Sequence, residues 1–362
     1  RSDSVTGVQT CALPISAVDR FLAATVAFGH PGFLVSDGGY RNTLRSYYLI
    51  QQLHERYTLE SVQRIEYLAA DGTWQGSSEA VASGAYARNQ IAARYANGVV
   101  TVVNGNPTDY LRSTVFGRAV ELPPNGYMGW SEDDAIEVFS GEQDGHRADL
   151  AVTPKYLYVD GRGTFVRFPQ AAGDGIGICR ILPEDRYEII PFAGSDCGFA
   201  IAADHAVALD EAGKELGPAT LRRARGLTYV VPVEGAFSYL LAKAPAVAGQ
   251  DLTCERDRVI PGETVTVRDG EANFPFRVPA EAKPGERLWQ TFNGKWIDFT
   301  VVPLCRIEPF LEETVLNLAI QGNVQAPTPA VVTVRNTRHE LTLDPLRSAV
   351  LAIELEIGRA HV

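Results

Sequence analysis

A chain of 362 residues has room for two or three domains of about 150 residues each, and 45% hydrophobic with 21% charged residues describes a folded chain. Its 33 Gly and 21 Pro punctuate turns without the period of collagen, and no sustained heptad marks a coiled coil. The net charge of −11 repels phosphate backbones and anionic lipid, which excludes nucleic acid as an expected partner. No apolar run reaches the roughly 20 residues that span a bilayer, so no membrane-spanning segment is expected.

At the start of the chain, residues 5–15 (VTGVQTCALPI) resemble the translation of a common sequencing adapter, and residues 356–362 (EIGRAHV) resemble the same adapter in the opposite orientation. Residues 1–16 and 356–362 are therefore set aside as artefact, and neither native terminus is expected to be present. Cys179, Cys197, Cys254 and Cys305 remain. They form no CxxC and no Cys/His cluster with zinc spacing, which predicts no metal site; disulfides Cys179–Cys197 and Cys254–Cys305 stand beside buried free thiols as alternatives.

Residues 17–57 are helical in pattern. Val18, Phe21, Leu22 and Val26 recur at steps of three and four, and Gly29, Pro31 and Gly32 then stop the helix. A short strand is predicted over 32–35 (GFLV), a turn over 36–39, and a second helix carrying Leu49, Leu53 and Tyr57 at steps of four. From Ser61 onward the pattern is β. Asp71-Gly72, Asn97-Gly98, Asp144-Gly145, Asp160-Gly161 and Asn293-Gly294 each predict a hairpin. A two-residue turn at Asn97-Gly98 would pair Tyr95 with Val100 and Ala93 with Val102. Many one-sided strands at short spacing predict antiparallel sandwiches.

Domain boundaries follow from composition. An antiparallel β domain is expected over 61–118 and a β-sandwich over 119–245; AKAPAVAGQ at 242–250 reads as a linker. Beyond it, 251–304 and a truncated 305–355 have the size and patterning of immunoglobulin-like modules.

Strong catalytic motifs are missing: there is no HExxH, GxSxG, GxxxxGK[ST] or EF-hand loop, and GDGIG at 173–177 reads as a turn. No cofactor is expected. Glu132, Asp133 and Asp134 read as a solvated loop, since adjacent carboxylates on an extended chain point in alternate directions. In AFGHPGFLVSDGGY (27–40), the predicted strand runs straight into polar residues. Catalytic and substrate-contacting groups in barrels sit where strands end, which makes His30, Asp37 and Tyr40 candidate pocket residues. The competing reading has His30 capping a helix C-terminus and Asp37 starting a turn.

A helix ending in AFGHPGF, a second helix with RSYYLIQQLHERY, and a β region with RYANGVVTVVN together resemble the end of the catalytic barrel and the start of the β-sandwich in large bacterial glycoside hydrolases. LPPNGYMGW (122–130) and KYLYVDGRGTF resemble parts of the β domains attached to such enzymes. The resemblance implies a carbohydrate substrate and glycosidic cleavage by two flanking carboxylates. A full barrel takes about 250 residues, so 17–60 supplies at most its last one or two units, and the catalytic carboxylates are expected upstream.

In LWQTFNGKWIDF, a turn at Asn293-Gly294 pairs Phe292 with Lys295 and Thr291 with Trp296. Leu288, Phe292, Ile297 and Phe299 then share one face, and Trp289 and Trp296 share the other as a platform for sugar rings or as an interdomain contact. The expected fold class is mainly β: a remnant of a (β/α)8 barrel, then antiparallel β-sandwich domains and immunoglobulin-like tail modules. The expected function is the inactive C-terminal part of a secreted or envelope-facing glycoside hydrolase. The alternatives are a non-catalytic carbohydrate-binding or adhesive β-module protein and an intracellular scaffold. The packing of residues 17–57 separates the first two: an isolated strand at 32–35 favours the barrel remnant, and helices closing over this chain's own sheet favour the non-catalytic module.

Overall fold

The computed structural model describes residues 17–36, 39–244, 251–312, 315–324, 327–334, 337–345 and 349–354. The chain is mainly β and divides into two compact units, one over residues 17–244 and one over 251–354. No helix among the described residues is long and apolar enough to cross a membrane.

The first unit opens with helices α1 (Ala17–Ala27) and α2 (Tyr40–Tyr57), followed by strands β1 (Val62–Leu68) and β2 (Trp74–Gly76) and the short helix α3 (Ser77–Ser83). Next come β3 (Gln90–Tyr95), β4 (Val99–Asn104), β5 (Leu111–Val115), β6 (Arg118–Leu122), β7 (Tyr127–Ser131), β8 (Glu137–Gln143), β9 (His146–Val152) and β10 (Tyr156–Asp160). The unit continues through β11 (Val166–Arg167), β12 (Ala171–Gly173), β13 (Ile176–Leu182), β14 (Arg186–Pro191) and β15 (Cys197–Phe199). It ends with β16 (Ala203–Leu209), β17 (Glu215–Ala219), β18 (Leu221–Ala224), β19 (Leu227–Val230) and β20 (Ser238–Lys243).

One sheet of thirteen strands, ordered β17-β16-β20-β14-β13-β10-β9-β8-β7-β4-β3-β1-β2, runs through the whole unit. The ladder from β4 to β7 carries it across residues 118–119, where the sequence suggested a domain boundary. Strands β4, β7 and β10 are buried at every position because both faces of the sheet are covered. On one face, Leu22, Val26, Leu49 and Leu53 of the two helices pack against Val103, Val138, Ala151 and Ile178. On the other, Leu150, Val159 and Cys179 meet Ala171 and Phe199 of a five-stranded sheet ordered β11-β12-β15-β19-β18, and Phe168 from its β11–β12 turn. Further along that face, the β5–β6 hairpin covers Val100, Val102 and Met128.

The turn residues act mostly as their chemistry demands. Asp144 and Gly145 both have positive φ and close a two-residue hairpin between β8 and β9. Two turns differ from expectation. At Asn97-Gly98 the register pairs Arg94 with Val100 and Ala93 with Thr101, one residue away from the expected pairing. The loop has three residues, Gly98 donates its N–H to the Tyr95 carbonyl, and only Gly98 takes a left-handed φ, so a type I turn with a bulge replaces the two-residue turn. At Asp160-Gly161 there is no hairpin: β10 pairs with β9 and β13, whereas β11 joins the five-stranded sheet. The chain changes layers there.

Helix α1 ends in a Schellman motif. His30 N–H donates to the Thr25 carbonyl, Gly29 N–H to the Val26 carbonyl, and Gly29 has φ +61°. A Cβ on Gly29 would lie 2.5 Å from the Tyr95 hydroxyl oxygen. Gly29→Ala is therefore expected to cost about 1–2 kcal/mol from the backbone conformation before the collision is added. Thermal denaturation checks this, and the added change Tyr95→Phe should recover the steric part alone.

All four described cysteines are free thiols. Burial pushes the Cys179 thiol well above its usual range. Thiol titration of the native protein at pH 8 should leave Cys179 unlabelled until denaturant is added; immediate labelling would contradict its place in the core.

The second unit begins with two three-stranded sheets. One holds Thr253–Cys254, Thr264–Asp269 and Ala272–Arg277; the other holds Arg258–Val259, Arg287–Phe292 and Lys295–Val301. Val259, Val267, Ile297 and Phe299 share their core. The Asn293-Gly294 turn pairs Phe292 with Lys295 and Thr291 with Trp296, matching the expected register, and both turn residues have positive φ. Strands Cys305–Glu312, Val315–Gly322 and Ala349–Glu354 form a further sheet beside the hairpin Thr328–Val334/Thr337–Leu343.

Candidate functional site

The segment singled out from the sequence, 27–40, lies between α1 and α2. Residues 32–35 belong to no strand, in contrast to the expectation, because Gly32 presses against α2: a Cβ there would sit 2.6 Å from Ile50 Cγ2. The backbone is held by α2 instead of by a ladder, with Val35 N–H donating to Ser46 Oγ and Thr43 Oγ1 donating to the Val35 carbonyl. His30 is exposed at the end of α1, and its carbonyl accepts the Tyr57 hydroxyl at 3.1 Å. Tyr40 opens α2 with its side chain 81% exposed. Asp37 lies outside the described residues. Phe28 (61% exposed), Phe33 (72%) and Leu34 (61%) point outward along the same segment.

The chemistry of this region sits under the helices. Asp160, Asp149, Ser140 and Tyr127 oppose one another across β10, β9, β8 and β7, forming one row of polar residues on the helix-facing side of the sheet. All four are fully buried. Helix α2 brings Arg45 down onto this row, and α1 brings Asp19. Arg45 Nε donates to Asp149 Oδ2 at 2.9 Å and Nη2 to Asp19 Oδ1 at 2.6 Å. From the loop after β10, Arg162 donates through Nη2 to Asp149 Oδ1 at 2.7 Å and through Nη1 to Asp19 Oδ2 at 3.0 Å. Two arginines and two aspartates thus alternate in a closed, neutral ring.

Two further arginines flank the ring. Arg41 Nη2 donates to Asp160 Oδ1 at 2.7 Å, and Arg147 approaches Asp19 at 3.8 Å. Burial alone would raise the Asp149 carboxyl; Arg162 and Arg45 outweigh it and hold that group well below the usual carboxylate range. Asp19 is held low by the same two guanidinium groups against its burial. Burial pushes the Tyr127 and Tyr158 hydroxyls up, so both stay protonated at neutral pH. The four charges that close the ring, Asp19, Asp149, Arg45 and Arg162, therefore each keep one protonation state near neutrality. An acid and a base poised to exchange a proton are not what this ring provides; it pins two helices to a sheet.

A groove of about 280 Å³ opens beside Arg41, lined also by Gly163, Asp174, Gly175, Ile176, Phe192, Ala193, Gly194 and Ser195. Gly163, Asp174–Gly175 and Phe192–Ser195 belong to three connections between the thirteen-stranded and five-stranded sheets, while Arg41 comes from α2 and Ile176 from β13.

In the second unit, Trp289 and Trp296 share the face opposite the core, as their spacing implied. The indoles meet edge to face, with centroids 6.2 Å apart and planes at 84°. Arg287 stacks against Trp289 at 4.3 Å while its Nε donates to the buried Asp298 at 3.0 Å. Both indoles are half-buried. They form a corner with two perpendicular walls in place of a flat platform.

No protein-family model, curated protein or solved structure matches this chain.

The acidic run 132–134 is a loop tied to neighbouring cations, Glu132 to Arg94 at 2.7 Å and Asp133 to Arg56 at 3.5 Å. The residues that sequence reasoning passed over are those of the ring, yet a signal for them existed. Stepping back by four from Leu49 along α2 lands on Arg45, a charge on the apolar stripe. Asp149 likewise interrupts the apolar run ADLAV, and Asp160 closes the run YLYVD.

Proposed function

We propose that this chain is a non-catalytic, carbohydrate-engaging β-module region. The observation that carries the reading is the packing of the two helices: α1 and α2 close over this chain's own sheet, with Leu22, Leu49 and Leu53 wholly buried. His30 and Tyr40, which a barrel pocket would turn inward, face outward from the ends of two different helices. The carbohydrate assignment rests on the Trp289–Trp296 corner, where an apolar sugar face stacks on one indole while the other indole and Arg287 border it. An extracytoplasmic location belongs to the same proposal.

The expected result is retention of the purified chain on at least one insoluble polysaccharide with no release of reducing ends. Trp289→Ala with Trp296→Ala should weaken retention by about tenfold or more, the scale of one to two lost aromatic contacts. Unchanged retention in the double variant would remove the Trp corner from the account.

A second reading is favoured by one observation. Phe28, Phe33, Leu34 and Tyr40 expose large apolar side chains along one segment, as expected if a preceding glycoside hydrolase barrel docks there. In that arrangement the chain is the β-rich C-terminal part of the enzyme, its tail modules are immunoglobulin-like, and the catalytic carboxylates belong to the barrel.

A further inference from the structure

We infer that the groove beside Arg41 is a second sugar subsite, sized for one neutral pyranose ring. The inference rests on the carbohydrate reading above but places binding in the other unit of the chain. The volume, about 280 Å³, lies just below the roughly 300–1,000 Å³ typical of drug-sized ligand sites, which suits a single ring. Its side chains supply three things a pyranose needs: the half-buried Phe192 ring for the apolar C–H face, the Arg41 guanidinium to donate to hydroxyls, and Asp174 to accept from them. One cation and one anion line the groove, which matches vicinal hydroxyls, each both a donor and an acceptor, better than it matches a carboxylate. The net charge of −11 also opposes a polyanionic glycan.

The site is built in advance of any ligand. Arg41 is 46% exposed, yet its Nη2 is anchored at 2.7 Å on Asp160, which has no exposed surface, so the outer part of the guanidinium is aimed without further ordering. Asp174 Oδ1 accepts the Asp196 N–H at 2.9 Å, which fixes that carboxyl as well. Ile176 and Ser195 also line the groove, and part of its wall is loop backbone in which Gly163 (φ +93°) and the pair Ala193 (φ +53°) and Gly194 (φ +75°) are left-handed. A left-handed alanine is strained, and such strain gathers where a ligand is clamped.

Amide NMR on the full chain tests this with methyl α-D-glucopyranoside, methyl β-D-galactopyranoside and methyl α-D-mannopyranoside as probes. At least one should shift the Gly163, Gly175 and Gly194 amides and saturate in the millimolar range, as one weak subsite does. Phe192→Leu, which keeps an apolar side chain against the core, should weaken that affinity by about three- to tenfold, the value of one aromatic contact. Arg41→Lys keeps the charge on Asp160 and loses the planar fork, and should weaken it similarly. Sodium glucuronate should bind more weakly than the best neutral glycoside. Silent glycine amides with all three glycosides, affinities unchanged in both variants, or tighter binding of glucuronate would each overturn the assignment. The Trp289→Ala/Trp296→Ala variant separates the two readings: it should keep the glycine shifts while losing retention on polysaccharide.

Discussion

Replacing Arg45 with Met should destabilise the first unit by about 3–5 kcal/mol, because it leaves Asp19 and Asp149 buried with one guanidinium between them. In a body of this size that lowers the melting temperature by roughly 10 °C. The comparison that isolates the ring is a cycle. Replacing Arg45 and Asp149 together, by Met and Leu, leaves Asp19 paired with Arg162, so the double variant should lose much less than the two single variants summed. Strict additivity would mean that Arg45 and Asp149 act independently.

The ring also sets a pH dependence. Asp149 and Asp19 have lower pKa values in the folded state than an unfolded carboxylate at about 3.9. They bind fewer protons when folded, so their contribution is fully present above that value and is lost as the pH falls toward the folded pKa. Melting temperature should hold steady from pH 7 to about 5 and fall below about 4; in Asp149→Asn the acid-side fall should be shallower.

The second large effect is expected at Gly161, where the chain leaves the thirteen-stranded sheet for the five-stranded one. A Cβ there would lie 2.2 Å from both the Gly173 and Thr164 carbonyl oxygens. Neither can withdraw, since Thr164 and Gly161 close a turn at 3.0 Å and Gly163 N–H holds the Asp174 carbonyl at 2.6 Å. Gly161→Ala should cost about 3 kcal/mol or more and disorder the layer crossing. Gly163→Ala, two residues on, meets nothing within 4 Å and should cost only about 1–2 kcal/mol for its left-handed φ. Equal losses in the two variants would mean that conformation, not the close approach, governs this loop.

Much of this architecture is legible in the residues. Period-two alternation and Asp-Gly or Asn-Gly pairs locate the hairpins at 144–145 and 293–294, and steps of four along 49–57 locate the buried face of α2. What escapes is whatever depends on a partner far away in sequence. Phe21 fits the α1 stripe by spacing but is 38% exposed, because the face of α1 that meets the sheet is the one carrying Val18, Leu22, Ala23 and Val26. GFLV has strand composition, yet no neighbouring strand is there to take its hydrogen bonds. Asp160-Gly161 has hairpin chemistry, but Asp160 spends its carboxylate on Arg41 and on the Arg162 N–H, and the chain turns into another layer. The ring could be suspected from charges on apolar stripes; its closure needs β9, β10 and both helices in one place.

Hydrogen exchange of the intact chain tests most directly that residues 17–57 are an integral cap of this sheet. The amides of Leu22–Val26 and Leu49–Leu53 should open together with those of β9 and β10, at one free energy, and Arg45→Met should lower both by the same amount. Helices that exchange orders of magnitude faster than β9 and β10, with the sheet still protected, would mean that the cap is a loosely held appendage and that its natural partner is another domain.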